Sequence, residues 1–449
     1  MKRTLTEQND AECLKEDREE KERKRNKACL ENRLYFTKVL GHPQRFSTHA
    51  KSLSEVLRII QPSASIHFNF MVDLEWFMKQ FPVNCATMPI SIIVGEKNGT
   101  DVGDVKRQVA RLKATNVVVG GARLPIMYGT HHTKLSIFDN DKDEIHVIIS
   151  TANLLQNDWE SKTQAFYHCR SKAEQCDRDP EKCDMFRDDL MEYLKNYSSS
   201  RDWQLIQYWH DRISNADFSE IEAVIIPSAP GYHCGMKREN YGHMRLRKVL
   251  STKNINISHP TFIAQSSSIG SLGPKPDSWL TGQFLCSLAG GAIVPGSSLR
   301  LIYPCVEDVR NSVEGYMAGN SLPYTKSTAS RQSYLPVMMH KWRSECWGRT
   351  RAMPHIKSYC LLNGREHRPE WLLITSANIS KAAWGELQKN ETQLGVRSYE
   401  LGVLLFNEES RDMLPYDLPL TKYDSNDRPW LVDETYTDPD TYGLTWPPT

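Results

Sequence analysis

The sequence has almost no net charge, since 56 lysines and arginines stand against 55 aspartates and glutamates in 449 residues. Without a global positive field, a site for a polyanion must be a local patch or cleft. The sequence also lacks a secretory leader and any apolar run of about 18 residues that could cross a membrane. We therefore expect a soluble protein of a reducing compartment that has no membrane partner.

Cysteine pairs with metal-ligand spacing are also missing. The 11 cysteines are an odd number, they are scattered, and no C-x2-C pair occurs among them. This pattern does not indicate a disulfide framework. Cys169, Cys176 and Cys183 follow one another at spacings of seven beside His168, which leaves a Cys3His zinc site open. The loose spacing favours a variable surface insertion instead.

Large apolar side chains are scarce in the first thirty residues, which are rich in both charge signs. Such a segment cannot bury enough surface to order itself, so we expect residues 1–30 to form a disordered charged tail. The stretch KERKRNK at 21–27 carries five basic residues in seven, a pattern typical of nuclear import signals. It predicts a nuclear protein, with the cytoplasm as a second location. A solvated helix start or simple disorder explains the same residues equally well.

A pattern of histidine, lysine, asparagine and tryptophan occurs twice in the chain. Its members are His132, Lys134, Asn153 and Trp159 in the first half, and His355, Lys357, Asn378 and Trp384 in the second. The asparagine-to-tryptophan spacing is six both times, and the two histidines lie 223 residues apart, about half the chain. Such self-similarity is the signature of an internal repeat. It predicts two domains, residues 31–217 and 218–449, after the tail.

The spacing within each pattern fits two hairpin-like strands followed by a loop and a helix. An apolar segment follows each lysine, and a second apolar run, IHVIIST or WLLITS, ends shortly before the asparagine. Alternate residues of a strand share a face, so each histidine projects beside its lysine. His131 then points to the opposite face, and we interpret it as structural. Each half thus presents a histidine and a lysine together with an asparagine from the neighbouring strand end.

A set of histidine, lysine and asparagine without a carboxylate is a poor site for a divalent metal and a good site for a phosphate. Lysines and amides attract and bind the nonbridging oxygens. Histidine titrates near neutrality, so one histidine can attack phosphorus while the other protonates the leaving group. A single strand-end histidine is usually a packing residue, but duplication of the whole set favours catalysis. The sequence therefore predicts a phosphodiesterase without metal or cofactor.

The paired motifs resemble the tyrosyl-DNA phosphodiesterase branch of the phospholipase D superfamily. Phe138 and Leu361 stand four positions after the lysines, and on this count we interpret the pattern as lacking the aspartate of the general H-x-K-x4-D signature. Further similar segments include SSSIGSLG at 266–273, SANISKAAWGELQKN at 376–390 and RSYELGVL at 397–404. The resemblance implies an α/β monomer of two similar phospholipase D-like α-β-α domains, related by a pseudo-twofold axis, with the active site at their interface.

The resemblance also implies roles for the repeated residues. His132 would be the nucleophile that forms a phosphohistidine with a DNA 3′ end. His355 would protonate the departing tyrosine phenol and then activate water, which leaves a 3′-phosphate. Lys134, Lys357, Asn153 and Asn378 would hold the phosphoryl oxygens. The implied substrate is DNA that carries a peptide from a stalled type IB topoisomerase, or another 3′ adduct, so the implied process is DNA repair.

Gln164 and Glu400 match the orienting pair of the family, in which Glu400 steadies His132 and Gln164 steadies His355 from the opposite half. A carboxylate on Nδ1 stabilises a histidine that gains charge, whereas an amide orients with less electrostatic bias. This asymmetric pair suits asymmetric roles. Alternatively, Glu400 caps or salt-bridges its own segment.

Substrate-contacting residues carry over from the family in two groups. Those that match positions on the single-stranded DNA side are Tyr128, Ser268, Ser271, Arg331, Ser380 and Lys381. Those that match the bowl on the peptide side are Phe70, Pro323 and Trp430. Arg331 replaces a lysine and Phe70 replaces a tyrosine of the family. Surface serines and lysines are usually only solvated, which is the alternative for this set.

Two other functions compete with this reading. Hydrolysis of lipid or nonspecific phosphodiesters occurs elsewhere in the superfamily. The serine loop, Tyr128 and the missing aspartate after each lysine argue against it, and a headgroup-release assay distinguishes it. A noncatalytic nucleic-acid-binding relic should have lost at least one member of the two sets, and both sets are intact.

Overall fold

The structure is a computed structural model that describes residues 30–172, 183–363 and 368–447. The expected charged tail, with KERKRNK, falls on residues 1–29 and lies outside this part. Leu30, the last residue assigned to the tail, is buried in the apolar core. Two large mixed sheets flanked by helices form the described chain, so the predicted α/β fold class is confirmed.

The first half of the chain forms an eight-stranded sheet. Its strands are β1 (Arg33–Thr37), β2 (Ala50–Lys51), β3 (Pro62–Phe68), β4 (Ile90–Gly95), β5 (Val117–Ala122), β6 (Leu135–Asn140), β7 (Ile145–Ser150) and β8 (Ala165–Arg170). Their order across the sheet is β2-β1-β8-β7-β6-β3-β4-β5. The hairpin predicted after His132 is β6 and β7, which pair antiparallel with Leu135 opposite Ile149.

The second half forms a seven-stranded sheet and a small three-stranded one. The strands are β9 (Val224–Ser228), β10 (Gly231–Cys234), β11 (Pro260–Gln265), β12 (Leu299–Ile302), β13 (Met339–His340), β14 (Ser358–Asn363), β15 (Pro369–Thr375), β16 (Glu386–Gln388), β17 (Gln393–Val396) and β18 (Glu400–Leu405). The large sheet has the order β13-β12-β11-β14-β15-β18-β9, and the small one β10-β17-β16.

The two large sheets have the same plan. Counted from β5 in one sheet and from β13 in the other, the first seven strands occupy matching positions. The hairpin β6 and β7 corresponds to β14 and β15, and β8 corresponds to β18. The strand directions match as well, because β3, β4 and β5 are parallel, as are β11, β12 and β13, and the other matching pairs are antiparallel. The repeated motif therefore occupies the same place in each sheet.

The α-helices of the described residues are short, and several of them pack against strands of the sheets. Their bounds are Leu53–Ile60, Leu74–Met78, Val102–Leu112, Gln156–Glu160, Met185–Lys195, Trp203–Ser214, Gly242–Ser251, Leu285–Leu288, Val306–Arg310, Lys326–Ser330, Lys381–Trp384 and Glu408–Arg411. The first of them shows why they form. Ser52 and Glu55 make a reciprocal capping box, and apolar residues at helical spacing, such as Val56 and Ile60, are buried.

The first sheet has a core on each face because helices cover both faces. On β6, Ile137 belongs to the core that continues into the second half, whereas the next residue, Phe138, packs in a separate core beneath the helix Leu53–Ile60. The larger core joins both sheets, so the two halves fold against each other. In the described ranges, no helix is long and apolar enough to cross a membrane.

Buried histidines are expected to make the fold sensitive to acid. Burial lowers the pKa of His67, His131, His146, His168 and His243 from 6.5 to about 3. Between these two values the unfolded chain binds protons that the folded chain does not, so stability is present above pH 6.5 and is lost as the pH falls. Each histidine contributes a slope of about 1.4 kcal/mol per pH unit. We expect the thermal unfolding midpoint, followed by circular dichroism, to fall steeply below about pH 6.5.

The variant His243→Gln tests this expectation, since the buried ring bonds only Ser287 in this part of the structure. It removes one titrating group, so its stability should depend less steeply on pH than that of the wild type. His259→Gln, at an exposed position, is the matched control and should leave the slope unchanged. An unchanged slope in His243→Gln would contradict the expectation.

Candidate active site

Two short backbone bridges join the halves at the repeated motifs. The His132 N–H donates to the Tyr399 carbonyl over 3.0 Å, and the Tyr399 N–H donates to the Thr130 carbonyl over 2.9 Å. At the equivalent place, the His355 N–H donates to the Thr163 carbonyl over 3.1 Å. Each histidine is therefore held beside the residue that precedes the orienting side chain of the other half.

His132 lies three residues before β6 and contacts the carboxylate of Glu400 at the start of β18. Its Nδ1 is 2.9 Å from Glu400 Oε2, and the Ser376 hydroxyl donates to the same oxygen. Burial alone would raise the pKa of Glu400, but His132 and Lys134 hold it below its ordinary value, so the carboxylate is ionised. An ionised acceptor on Nδ1 keeps the ring proton there and leaves the Nε2 lone pair available.

His355 has two partners on Nδ1. Gln164 Nε2 lies at 2.7 Å and Asp158 Oδ2 at 3.3 Å. The Thr151 hydroxyl donates to Gln164 Oε1 over 2.7 Å. The cross-pairing expected from the resemblance is thus present on both histidines, and the Asp158 carboxylate is an addition to it.

The two lysines are buried next to their histidines. Lys134 Nζ donates to the His132 carbonyl over 2.9 Å, and Lys357 Nζ donates to the His355 carbonyl. Burial lowers the pKa of Lys134 to about 8, and burial with the Lys134 charge lowers the pKa of Lys357 well below its ordinary value. An ammonium group has three N–H donors, so two remain on each lysine for an anion.

The two asparagine amides are held in different ways. Asn378 Oδ1 accepts from the N–H groups of Ser267 and Ser268 over 3.1 and 3.0 Å, so its Nδ2 faces away from that loop. Asn153 instead donates to Asp158 Oδ2 from both its backbone N–H and its Nδ2, over 2.7 and 2.9 Å. Its buried Oδ1 has no hydrogen-bond partner within the described residues. Only Asn378 therefore turns its whole NH2 group away from the protein atoms that hold it.

The tryptophan of each motif braces the loop that carries the asparagine. Trp159 Nε1 donates to the Asn153 carbonyl over 3.0 Å. Trp384 Nε1 donates to the Tyr359 hydroxyl over 3.3 Å, and that hydroxyl donates to the Ala377 carbonyl over 2.8 Å. With the same spacing of six, the indole thus supports this loop directly in the first half and through Tyr359 in the second.

The surroundings of the histidines disfavour their charged forms until an anion binds. Burial and the Lys357 charge lower the pKa of His355 to about 3, while Asp158 acts in the opposite direction. Burial is also the largest cause that lowers the pKa of His132, and the lysines add to it while Glu400 opposes it. An anion bound by the lysines would raise both histidine pKa values. Protonation of a histidine is thereby coupled to anion binding.

The expectation that neither set contains a carboxylate is wrong for the first half. Asp158 is 2 % exposed and stands five residues after Asn153, whereas Ala383 stands five residues after Asn378. Aligning the two halves on asparagine and tryptophan exposes this difference in the sequence itself. The orienting groups are therefore less asymmetric in charge than Gln164 and Glu400 alone indicate.

The interpretation that the signature aspartate is missing from the first half is also wrong. Asp139 follows Lys134 after four intervening residues, whereas Leu362 occupies the matching position of the second half. Asp139 lies near the far end of β6, where Arg212 Nε is 3.2 Å from its Oδ1. It is paired there and takes no part in the site.

The serine and lysine positions predicted for DNA contact lie beside Asn378. Ser268 is half-buried and Ser271 is exposed, and a backbone bond from Gly270 to the Ile379 carbonyl, 2.9 Å long, joins their loop to the segment before Ser380. Ser380 caps the helix Lys381–Trp384. Lys381 Nζ lies 2.6 Å from Glu386 Oε1, so its charge is paired rather than free.

Tyr128 and Arg331 are exposed. Tyr128 is 79 % exposed, with a φ of 62°, on the loop before His132. The next residue must be glycine, because a Cβ on Gly129 would lie 2.2 Å from the Arg397 carbonyl of the other half. This loop is therefore fixed across the domain interface, while its aromatic ring stays accessible.

The peptide-side residues divide into three cases. Phe70 packs edge-on against His132, with ring centroids 5.2 Å apart, and Pro323 is exposed. Trp430 is completely buried, stacked between Tyr316 and Tyr436 at centroid distances of 5.8 and 4.8 Å. The expectation that Trp430 contacts substrate is wrong for this conformation, because its indole is part of the core.

No three or more His, Cys, Asp or Glu side chains within the described ranges are arranged to hold a metal ion. For the zinc alternative, Cys176 falls outside those ranges. His168 and Cys169 are neighbours on β8 and face opposite sides of the strand, and His168 already bonds His146 over 2.9 Å. Cys183 is exposed. The described residues give the zinc site no support.

Comparison with known proteins agrees with this geometry. Residues 33–424 match the family described as tyrosyl-DNA phosphodiesterase. The chain belongs to this family. A probable tyrosyl-DNA phosphodiesterase of Caenorhabditis elegans is 41 % identical over 94 % of each chain. Tyrosyl-DNA phosphodiesterase 1 of Arabidopsis thaliana is 32 % identical over 86 % of this chain and 71 % of its own length.

The fold agrees with a solved structure as well. The crystal structure of yeast tyrosyl-DNA phosphodiesterase superimposes with a TM-score of 0.69 at 20 % identity, covering 89 % of this chain and all of the yeast chain. The expected two-domain phospholipase D-like architecture is therefore confirmed. As a member of the family, the protein is a phosphodiester hydrolase of DNA repair.

The depressed pKa of Lys134 predicts how anion binding depends on pH. With a pKa of about 8, Lys134 loses its charge above pH 8. Because sulfate keeps its charge in this range, we expect its affinity to be roughly tenfold weaker one pH unit above the pKa than well below it. Isothermal titration with sulfate on both sides of this pKa measures the change.

The variant Lys134→Arg keeps its cation and should lose less affinity over the same range. Lys142→Arg, at an exposed turn, is the matched control and should behave as the wild type. Equal sulfate affinity of the wild type at both pH values would contradict the assignment.

Proposed function

We propose that the protein hydrolyses the 3′-phosphotyrosyl bond between DNA and the peptide of a stalled type IB topoisomerase, through a phosphohistidine on His132. The observation that carries the proposal is the reciprocal pairing of the site. Two histidines, each oriented on Nδ1 by the opposite half, stand beside two buried lysines. This arrangement supplies a nucleophile, an acid and an anion site, which are the groups that phosphodiester cleavage in two steps needs.

In the first step, the Nε2 lone pair of His132 attacks phosphorus. Its support is Glu400, whose ionised carboxylate on Nδ1 stabilises the ring as it becomes positive. The bond from phosphorus to the tyrosine oxygen breaks, and the oxygen leaves with the electron pair. His355 Nε2 gives its proton to that oxygen, so tyrosine departs as a neutral phenol.

In the second step, His355 has lost its proton and acts as the base. Its Nε2 takes a proton from a water molecule, which attacks the phosphohistidine and releases a DNA 3′-phosphate. Both histidines then return to their starting state. His355 thus serves as the acid in the first step and as the base in the second, because the second proton transfer is the reverse of the first.

The phosphoryl oxygens are held by the lysines and amides of the two sets. Lys134 and Lys357 each have two N–H donors beyond the backbone carbonyl that they bond. Asn378 adds a neutral donor, since its oxygen is already satisfied by the serine loop. These groups act in a buried site, where each charge is worth more than in water.

DNA and peptide lie on opposite sides of this centre in the proposal. The exposed ring of Tyr128 offers a stacking surface for a base of a single strand, and the Ser268 and Ser271 loop borders Asn378. Phe70 borders His132 on the peptide side. Removal of other 3′ adducts, a monomeric state and a nuclear location, with the cytoplasm second, belong to the same proposal.

The test uses a single-stranded oligonucleotide that carries a 3′-phosphotyrosine. We expect the wild type to yield a 3′-phosphate. His132→Ala should lose activity by at least about 10³-fold, because it removes the nucleophile. His355→Ala should cleave slowly and accumulate protein-bound oligonucleotide, because it lacks the base of the second step. A sequencing gel measures the product, and a denaturing protein gel measures the covalent complex.

Glu345→Gln, at an exposed site in the second half, is the matched control and should behave as the wild type. If the wild type leaves the tyrosyl oligonucleotide intact, the proposed substrate is wrong, and lipid phosphodiesters with a headgroup-release assay become the next substrates. If His132→Ala instead accumulates the covalent complex, the two histidine roles are reversed.

Activity is expected to persist in a chelator. The nucleophile, acid and anion-binding groups of the proposal are all side chains, and both Nδ1 atoms are engaged by orienting groups. We therefore expect equal cleavage rates in EDTA and in magnesium after dialysis against a chelator. Loss of activity that one divalent ion restores would defeat this mechanism.

A further inference from the structure

Asp158 is a buried carboxylate at the centre of the site that the proposed mechanism does not use. It lies on the short helix Gln156–Glu160 and is 2 % exposed. Its Oδ2 accepts both N–H donors of Asn153 and lies 3.3 Å from His355 Nδ1. Its Oδ1 is 3.7 Å from Lys162 Nζ. One carboxylate thus touches an amide of the anion site and the acid of the proposed reaction.

The charge of Asp158 is maintained in spite of its burial. Burial alone would raise the pKa of the carboxyl group, but His355, Lys162 and the Asn153 N–H hold it below its ordinary value. A buried carboxylate without such partners would destabilise the fold. The second half places Ala383 at this position, so the internal repeat does not require an acid here.

Gln164 cannot define the proton position on His355 by itself. The amide donates from Nε2 to Nδ1 as it stands, and Thr151 donates to its oxygen. The Thr151 hydroxyl also lies 3.2 Å from the Ala165 carbonyl and can donate to it instead. The Gln164 amide could then flip, so that its NH2 group donates to Thr151 and its oxygen accepts from His355 Nδ1. Gln164 therefore suits either tautomer of the ring. An ionised carboxylate accepts and never donates, so Asp158 favours the ring with its proton on Nδ1.

The proposed reaction needs that tautomer. When His355 gives its Nε2 proton to the phenol, the neutral ring must keep the other proton on Nδ1. Only then is the Nε2 lone pair free to take a proton from water in the second step. A ring that settled with its proton on Nε2 could not act as the base.

We propose that Asp158 is a positioning residue for His355: its carboxylate holds the proton on Nδ1, so that Nε2 can serve first as acid and then as base. This inference rests on the acid–base role proposed for His355. In the family resemblance, Gln164 is the residue that orients this histidine. The carboxylate on His355 Nδ1 then matches Glu400 on His132 in charge, although it comes from the same half as Gln164.

The test compares two leaving groups on the same oligonucleotide, 3′-phosphotyrosine and 3′-(4-nitrophenyl)phosphate. The nitrophenolate leaves without a proton, whereas tyrosine needs the acid. For Asp158→Asn we expect single-turnover cleavage of the tyrosyl substrate to fall roughly 100-fold, with at most about threefold loss for the nitrophenyl substrate. The nitrophenyl substrate should then give a burst of one nitrophenol per enzyme, followed by slow turnover, because the second step still lacks its base.

The pH profile adds an independent readout. The charged groups that face His355 are Lys357, Lys134 and Asp158, and only Asp158 favours its protonated form. In Asp158→Asn, the loss of first-step rate with rising pH should therefore move to lower pH, by about two units, which corresponds to the roughly 100-fold fall. Asp158→Glu keeps the charge and should restore part of the tyrosyl rate and of the profile.

Glu314→Gln is the matched control, because Glu314 bonds Lys162 over 3.2 Å and is not among the partners of His355. It should keep both rates. If Asp158 acts only by holding Asn153 on the phosphate, Asp158→Asn will slow both substrates equally, without a burst, and the inference is overturned. If the wild type cleaves neither substrate, the proposed function fails instead.

A measurement on the wild type covers the case in which Asp158→Asn does not fold. In protein labelled with 15N-histidine, the His355 signals are identified by their absence from His355→Asn. We expect the neutral ring to carry its proton on Nδ1. A ring protonated on Nε2 would overturn the inference without any Asp158 variant.

Discussion

The site depends on two backbone bridges between the halves, His132 with Tyr399 and His355 with Thr163. Each bridge places a histidine beside the residue that precedes the orienting side chain of the other half. Glu400 and Gln164 therefore reach the histidines across the interface without a long loop. Strand order and direction are the same in both sheets, which is why one geometry occurs twice. Because a single backbone hydrogen bond contributes only about 1 kcal/mol, the shared apolar core must hold the bridges in place.

Charge is the second constraint on this site. Burial lowers the pKa of both Lys134 and Lys357, and the Lys134 charge lowers that of Lys357 further, while Glu400 and Asp158 oppose these effects without cancelling them. A phosphodiester anion would remove this conflict, so its binding would also favour protonation of His355, the proposed acid. The buried lysines are therefore a cost in the free protein that substrate relieves.

Around this buried centre, the surface is built from separate loops. The Tyr128 loop is fixed on the second half through Gly129, and the serine loop is fixed on Asn378. Exposed side chains on rigid attachments suit a substrate with a variable base sequence and a variable peptide. Trp430 lies outside this surface because its ring completes an aromatic stack in the core.

The sequence alone determined the repeat, the strands after each histidine and the pairing of histidine with lysine, because these follow from local periodicity and from chemistry that occurs twice. The orienting roles of Gln164 and Glu400 came only with the family resemblance. Tertiary structure decided that Asp158 meets His355, that Lys381 is paired with Glu386 and that Trp430 is buried. The first and third of these depend on packing between segments far apart in the chain, and the ion pair depends on how a turn folds, which residue spacing does not encode.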